Sequence, residues 1–235
     1  EKLGAKYANE VIVISNVIKD ILENKYKRND TNLIYNGFTS PVFNYDTDYI
    51  KTLGLEPHKY VFTLGRFVEE KGFDLLIRSF SKLNQNDYRL VIAGDADHET
   101  NYSRNLKQLA KQNNVVLTGF IKGEKLQQLF TNTRLFILPS FHEGLPISLL
   151  EAMSYKIPVL VSDIPANKQV VNLSDNNFFI TGDEESLRKG LDEWLKKDFK
   201  LEDYDMSPYD WDLIADQTAA IYEKIAGKVR KPRES

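Results

Sequence analysis

Short runs of β-branched and other apolar residues recur along this chain. Each is closed by turn-forming residues and separated from the next by a helix-length amphipathic stretch. The runs are Val11–Ser15, Asn32–Tyr35, Tyr60–Leu64, Arg89–Ala93, Val115–Thr118, Leu135–Pro139, Pro158–Ser162 and Phe178–Thr181. Between them, helices are predicted near 16–26, 70–83, 100–112, 123–132, 146–155, 183–197 and 209–226. In the 70–83 stretch, Phe73, Leu76, Ile77, Phe80 and Leu83 recur at spacings of three and four, which gathers them on one helix face. Strands apolar on both faces, alternating with helices, imply a parallel sheet covered on both sides with right-handed crossovers. The expected class is α/β, a doubly wound, Rossmann-like parallel sheet.

The alternation breaks once. Residues 38–58, bracketed by Gly37 and punctuated by Pro41, Gly54 and Pro57, hold little strand pattern and one weak helix. They read as a linker between a β-α-β unit at 1–37 and a complete sheet unit at 59–208. The last stretch, 209–235, begins with a predicted helix whose Trp211, Ile214, Ala215, Ala219 and Tyr222 form an apolar face that the sheet unit does not need. Its basic end, Lys228 to Arg233, reads as solvated, with an anionic membrane surface as the alternative.

Composition narrows the classes. At 42% hydrophobic and 28% charged residues the chain is globular, and its longest apolar runs are far too short to span a bilayer. A net charge of −3 supplies no basic field for nucleic acid. With no cysteine there is no disulfide framework, thiolate metal site or cysteine nucleophile, which suits a reducing compartment. The expectation is a cytoplasmic protein, with a peripheral place at the membrane as the alternative. The sequons at Asn29, Asn101 and Asn172 are read as unused. Residue 1 is Glu and no signal segment comes after it, so the chain is expected to start inside a longer protein or after processing.

Open parallel sheets bind ligands beyond the carboxyl ends of their strands, where helix N-termini favour anions. Just past the strand ends stand Gly65-Arg66 and then Glu70-Lys71-Gly72, Gly94-Asp95-Ala96-Asp97, Gly119-Phe120-Ile121, and Ser140 to Pro146. Gly65 has no Cβ and lets backbone approach a ligand. Arg66 and Lys71 would put two cations at the same edge, suited to a diphosphate, with surface pairs to Glu69 or Glu70 as the plain alternative. Glu143 falls in the loop before a helix that Pro146 opens, and Glu151 about one turn inside it. A carboxylate is an acceptor-only fork that matches two neighbouring sugar hydroxyls. The amides of Gly144 and Leu145 would face a phosphate or sugar oxygen.

On these residues the segment Tyr60–Val170 resembles the nucleotide-sugar-binding domain of retaining glycosyltransferases of family 4, which have the two-domain GT-B fold. The matching pieces are Leu64-Gly65-Arg66…Glu70-Lys71-Gly72, Val91-Ile92-Ala93-Gly94-Asp95, Val116-x-x-Gly119, Leu138-Pro139-Ser140-x-x-Glu143-Gly144-x-Pro146…Glu151-Ala152-Met153, and Ile157-Pro158-Val159. They cover about half of the chain in the family's order, with Glu143 and Glu151 as its E-x7-E pair. The resemblance implies the C-terminal half of GT-B, with 1–37 a remnant of the N-terminal acceptor domain and the last helix crossing back to pack on it. It also implies transfer of a hexose or related sugar from a nucleotide-diphosphate sugar to a glycan or lipid-linked glycan, with retention, as in polysaccharide biosynthesis. No metal or other cofactor is expected. By position, Arg66 and Lys71 would bind the diphosphate leaving group, Glu143 the donor sugar with the Gly144 and Leu145 amides nearby, Glu151 the ribose, and the backbone at Phe120-Ile121 the base. Glu143, Arg66 and Lys71 would be the catalytic residues and Gly65 part of the donor site. The acceptor domain's Gly-rich loop and histidine are not visible, so these residues alone are expected to be inactive.

Three departures stand out: Lys156 where the family commonly has Gly, Ala96 where a second Gly is common, and Gln169 where an acid is common. The rival readings are few. Asp95-Ala96-Asp97 spells a D-x-D string, with His98 next to it, that would suit a divalent cation. His58 and His142 read as structural or loop residues. Neither G-x-G-x-x-G nor G-x4-G-K-[ST] occurs, which sets aside dinucleotide dehydrogenases and phosphate-loop NTPases. A sugar-nucleotide epimerase of the same fold and a non-catalytic nucleotide-sugar-binding module remain as alternatives.

Overall fold

The computed structural model describes residues 2–84, 87–170 and 173–229. In chain order these form α1 (Lys2–Tyr7), β1 (Val11–Val13), α2 (Asn16–Tyr26), β2 (Thr31–Leu33), α3 (Asp48–Thr52), β3 (Tyr60–Leu64), α4 (Phe73–Ser81), β4 (Arg89–Ala93), α5 (Asn101–Gln112) and β5 (Val116–Gly119). They continue as α6 (Glu124–Asn132), β6 (Leu135–Leu138), α7 (Ile147–Ser154), β7 (Val159–Ser162), α8 (Pro165–Lys168), β8 (Phe178–Phe179), α9 (Glu184–Lys196) and α10 (Trp211–Val229).

Six strands make one sheet in the order β5-β4-β3-β6-β7-β8, every pair parallel. In the unit's own numbering that is 3-2-1-4-5-6, the doubly wound order, and the winding reverses between β3 and β6. The sheet's period of two sends Val61, Ile92, Leu135, Ile137 and Leu160 to one face, under α4, α5 and α9. Phe62, Val91, Phe136, Leu138 and Val159 go to the other, under α3, α6 and α7. The phenyl rings of Phe62, Phe130 and Phe136 pack at centroid distances of 5.2–6.1 Å. Fully burying a side chain of this size contributes about 1.5–3 kcal/mol.

The segment 38–58 is not a loose tether. The buried Gln128, Thr131 and Asn132 of α6 bind its backbone: Asn44 N–H donates to Thr131 Oγ1 at 2.9 Å, Tyr49 N–H to Gln128 Oε1 at 3.0 Å, and Asn132 Nδ2 to the carbonyls of Asn44 and Asp46. Ile50 and Leu55 from this segment join the core. These polar residues of α6 are therefore the clamp that satisfies an irregular strap.

Strands β1 and β2 form a separate parallel pair with α2 as their crossover, and the Ser15 hydroxyl caps α2 by accepting from Ile18 N–H. Against this unit α10 lays Ile214 and Ile221 on Ile34, and Lys224 pairs with Glu10 at 2.9 Å. Gly37 passes under the Trp211 ring, where a Cβ would come within 2.7 Å. The basic end of the chain lies outside the described residues from residue 230 onward, as does Asn172. Among the described residues no helix is long and apolar enough to cross a membrane.

Candidate functional site

The loops after β3 and β6 leave the sheet side by side because the winding reverses between those strands, and that opens a crevice at their carboxyl ends. After β3 the chain makes a single 3-10 turn at Glu69–Lys71, closed by Gly72 at φ +63°. A Cβ at Gly72 would sit 2.4 Å from the Pro139 carbonyl oxygen, so only glycine lets the two loops touch. Phe141 N–H then donates to the Glu70 carbonyl at 2.7 Å and locks them together. The result is a meeting of Lys71 and Glu143, with Nζ 2.6 Å from Oε1, their side chains only 19% and 10% exposed. The Ser140 hydroxyl donates to the same Oε1 at 2.7 Å. Behind it, Ser162 Oγ donates to the Ser140 carbonyl, and Asn167 Nδ2 donates to Ser162 O and Oγ, all three residues fully buried. Glu143 thus rests on a polar chain anchored in β7 and α8, with one lone pair on a cation.

Beside it, the β3–β4 ladder runs past the strand ends: Gly65 N–H donates to the Ala93 carbonyl and Phe67 N–H to that of Asp95. Gly94, at φ +115°, has the Gly65 carbonyl oxygen 2.1 Å from where a Cβ would stand. The floor so formed belongs to a cavity of about 450 Å³ lined by Gly65, Arg66, Gly94, Asp97, Phe120 and Ile121 among others. Arg66 Nη1 reaches Asp97 Oδ2 at 3.1 Å, with both side chains about two-thirds exposed. Asp95, also part of the lining, has other partners, accepting from Lys107 Nζ and from Ala96 N–H at 2.8 Å each. The Lys107 bond is the larger of the causes that hold its carboxyl below the ordinary range.

Glu151 on α7 lines an adjoining cavity of about 190 Å³ with Thr39 to Val42, Leu126 and Tyr155, and Leu126 also walls the first cavity. Burial pushes the Glu151 carboxyl above its ordinary value. Among the described residues, no backbone acceptor meets the amides of Gly144 or Leu145.

Residues 46–207 of this chain match the family model of the group 1 glycosyl transferases. The chain belongs to that family. An uncharacterised glycosyltransferase of Methanocaldococcus jannaschii is 27% identical over 246 residues, which take in 96% of this chain and 62% of that protein. The alpha-galactosylglucosyldiacylglycerol synthase of Streptococcus pneumoniae is 25% identical, covering 64% of this chain and 40% of its own. Anabaena HepE, solved with UDP and glucose, has the same fold, with a TM-score of 0.73 at 19% identity over 98% of this chain and 65% of that one. The chain spans about half the length of the curated relatives it matches.

In this chain the predicted residues fall into three neighbouring groups. Gly65, Arg66, Phe120 and Ile121 share the larger cavity, Lys71 and Glu143 make the ion pair, and Glu151 sits in the adjoining cavity. Phe120 stands exposed on the rim at 79%. The cations pair across the sheet edge with Asp97 and Glu143, where the sequence offered Glu69 and Glu70. His142 is exposed in the loop beside Glu143, while His58 is remote, with Nδ1 3.1 Å from the Thr133 carbonyl and the ring stacked on Phe199. Asp95 and Asp97 face different cations, and no three His, Cys, Asp or Glu side chains converge on a metal-sized space among the described residues. Lys156 holds φ +59° just past α7 and pairs with Asp203, so a glycine there would relieve a left-handed backbone. Sequence reasoning passed over Ser162, whose only signal is a small polar residue closing an apolar strand, and Asn167, which the short α8 carries with no signal of its own.

Proposed function

We propose that this chain carries the donor site of a retaining glycosyltransferase, which moves a hexose or related sugar from a nucleotide-diphosphate sugar to a glycan or lipid-linked glycan. The observation that carries the reading is the Lys71–Glu143 pair at the winding reversal, with Arg66 on the same edge. A cation held there by a carboxylate is poised to exchange partners. A diphosphate takes Lys71 and Arg66 in charge-assisted contacts, and Glu143, its Oε1 still held by Ser140, offers the lone pair that Lys71 gives up, together with Oε2, to hydroxyls of the donor sugar. As the glycosidic bond breaks, negative charge grows on the diphosphate. Cations fixed beforehand stabilise that charge without reorganising. Glu151 holds the ribose, the Phe120-Ile121 backbone meets the base, and the open amides of Gly144 and Leu145 face the sugar.

The side chains supply the positive charge in this scheme, and it calls for no metal. Acceptor groups come from the N-terminal domain to which residues 1–37 belong, a view supported by the packing of α10 on that unit. A relative named for a glycolipid product and a neighbour solved with UDP and glucose both fit the proposed substrate classes.

Thermal shift with UDP, GDP, ADP and their common sugars, each with manganese and with chelator, tests the reading. Stabilisation by one nucleotide in chelator, lost in Lys71→Ala, is the expected result. Stabilisation only with manganese, abolished in Asp97→Ala, would transfer the site to the D-x-D string. Turnover that needs an acceptor separates a transferase from an epimerase.

A further inference from the structure

The D-x-D string is left over once the donor site is assigned, and its two acids do different things. Asp95 is committed to the loop itself, bonded to Ala96 N–H and to Lys107 on α5. Asp97 lies farther along the loop that the Gly65–Ala93 and Phe67–Asp95 hydrogen bonds bring beside Arg66, and its carboxylate takes the guanidinium. Both members of that pair line the cavity of about 450 Å³, so the contact spans part of its wall rather than decorating a distant surface. The pair is also solvated, its side chains 66% and 67% exposed, which makes it easy to exchange.

We infer that Asp97 is a positioning residue that holds Arg66 in place when the cavity is empty and gives it up when a nucleoside diphosphate arrives, thereby setting how tightly that diphosphate is held. The inference rests on the donor-site reading and adds to it an internal competitor. A diphosphate carries more charge than a carboxylate and offers the guanidinium a two-pronged contact, so it wins the exchange. Every binding event must nevertheless break the Arg66–Asp97 pair and seat the diphosphate near a free carboxylate. Neutralising Asp97 removes both costs.

The test is isothermal titration of the full chain with UDP, GDP and ADP in chelator, on the wild type, Asp97→Asn, Arg66→Ala, the double variant of those two, and Lys71→Ala. Asp97→Asn alters an exposed side chain, and a melting curve matching the wild type checks that the fold is kept. The nucleotide that binds the wild type is expected to bind Asp97→Asn about 3- to 10-fold tighter. In the Arg66→Ala background the pair is already gone and only the repulsion remains, so the same change is expected to tighten binding clearly less than it does in the wild type. Equal or weaker binding by Asp97→Asn overturns the inference. So does equal tightening in both backgrounds, which would reduce Asp97 to a repelling charge, and so does manganese-dependent binding that Asp97→Asn abolishes. If Lys71→Ala removes binding while Asp97→Asn leaves it unchanged, the donor site stands and only the role of Asp97 falls. If no variant binds any nucleotide, both fall together.

Discussion

Two ion pairs sit along one sheet edge, built from the same chemistry and placed in different surroundings. Lys71–Glu143 lies in the crevice with 19% and 10% of its side chains exposed, while Arg66–Asp97 stands at the cavity wall with about two-thirds exposed. In the first, low solvent access makes each charge depend on the other, and Ser140 adds a further bond to Glu143. In the second, water can replace either partner, and the pair adds little to the fold. Each also rests on one glycine that lets two loops touch, Gly72 for the first and Gly94 for the second. The difference separates a pair that holds the site's shape from a pair that tunes its occupancy.

The largest expected effect comes from spoiling the loop contacts themselves. Gly94→Ala places a Cβ 2.1 Å from the Gly65 carbonyl oxygen at φ +115°, a backbone that alanine avoids. It should cost about 3 kcal/mol or more, read as a lower urea midpoint. Gly72→Ala, 2.4 Å from the Pro139 carbonyl oxygen at φ +63°, should come close behind. Equal midpoints for wild type and both variants would show that the loops have room to separate.

Next comes Lys71→Ala, which leaves the Glu143 carboxylate mostly buried with Ser140 as its remaining partner. A loss of about 2 kcal/mol in stability is expected, less than for a fully buried pair because some water remains. The same variant should weaken nucleotide binding roughly ten- to a hundred-fold. Urea melts and titrations on one preparation check both. Loss of affinity with no loss of stability would make this pair behave like its exposed neighbour.

The two pairs also differ in what the sequence reveals of them. Strands β3 and β4 begin and end where the apolar runs do, because turn residues bound both. The strand order is then the one the doubly wound class implies, so Lys71 and Glu143 are legible as residues of one edge. Their direct contact is not, since they lie 72 positions apart and it depends on Gly72 meeting Pro139. The helix predicted from 70 begins at Phe73, because Gly72 at positive φ ends a 3-10 turn first. The four-residue α8 escapes any periodicity, yet it carries Asn167 to the back of the site. Asp97 was legible only as half of a metal-like string, for its true partner approaches from another strand. The clamp of α6 on 38–58 is hidden for the same reason: its glutamine and asparagine look solvent-facing until an irregular strap needs donors and acceptors.

Glu151 tests the third group at a smaller scale. Burial raises its folded-state pKa above the ordinary 4.5, so the folded state holds its proton longer than the unfolded chain does. Stability from this residue is therefore greatest below 4.5 and falls as pH rises through the window between the unfolded and folded values. Glu151→Gln should raise the urea midpoint at neutral pH and leave it unchanged in acid, while weakening nucleotide binding if Glu151 holds the ribose as proposed. A midpoint that is lower at neutral pH would mean that the charged carboxylate is stabilised in place.

Arg66→Ala gives the smallest change in stability and sharpens the comparison most. Removing a guanidinium that is two-thirds exposed and pairs with an equally exposed acid should move the unfolding free energy by no more than about 0.5 kcal/mol. Nucleotide affinity should still fall, because the diphosphate loses a two-pronged donor, and the dependence of affinity on salt should flatten as one cation leaves the site. Lys71→Ala thus moves both stability and binding, and Arg66→Ala moves binding alone. A stability loss in Arg66→Ala as large as that in Lys71→Ala would mean that the Arg66–Asp97 contact braces the loops after all. The boundary between shaping and tuning would then have to be drawn elsewhere along the edge.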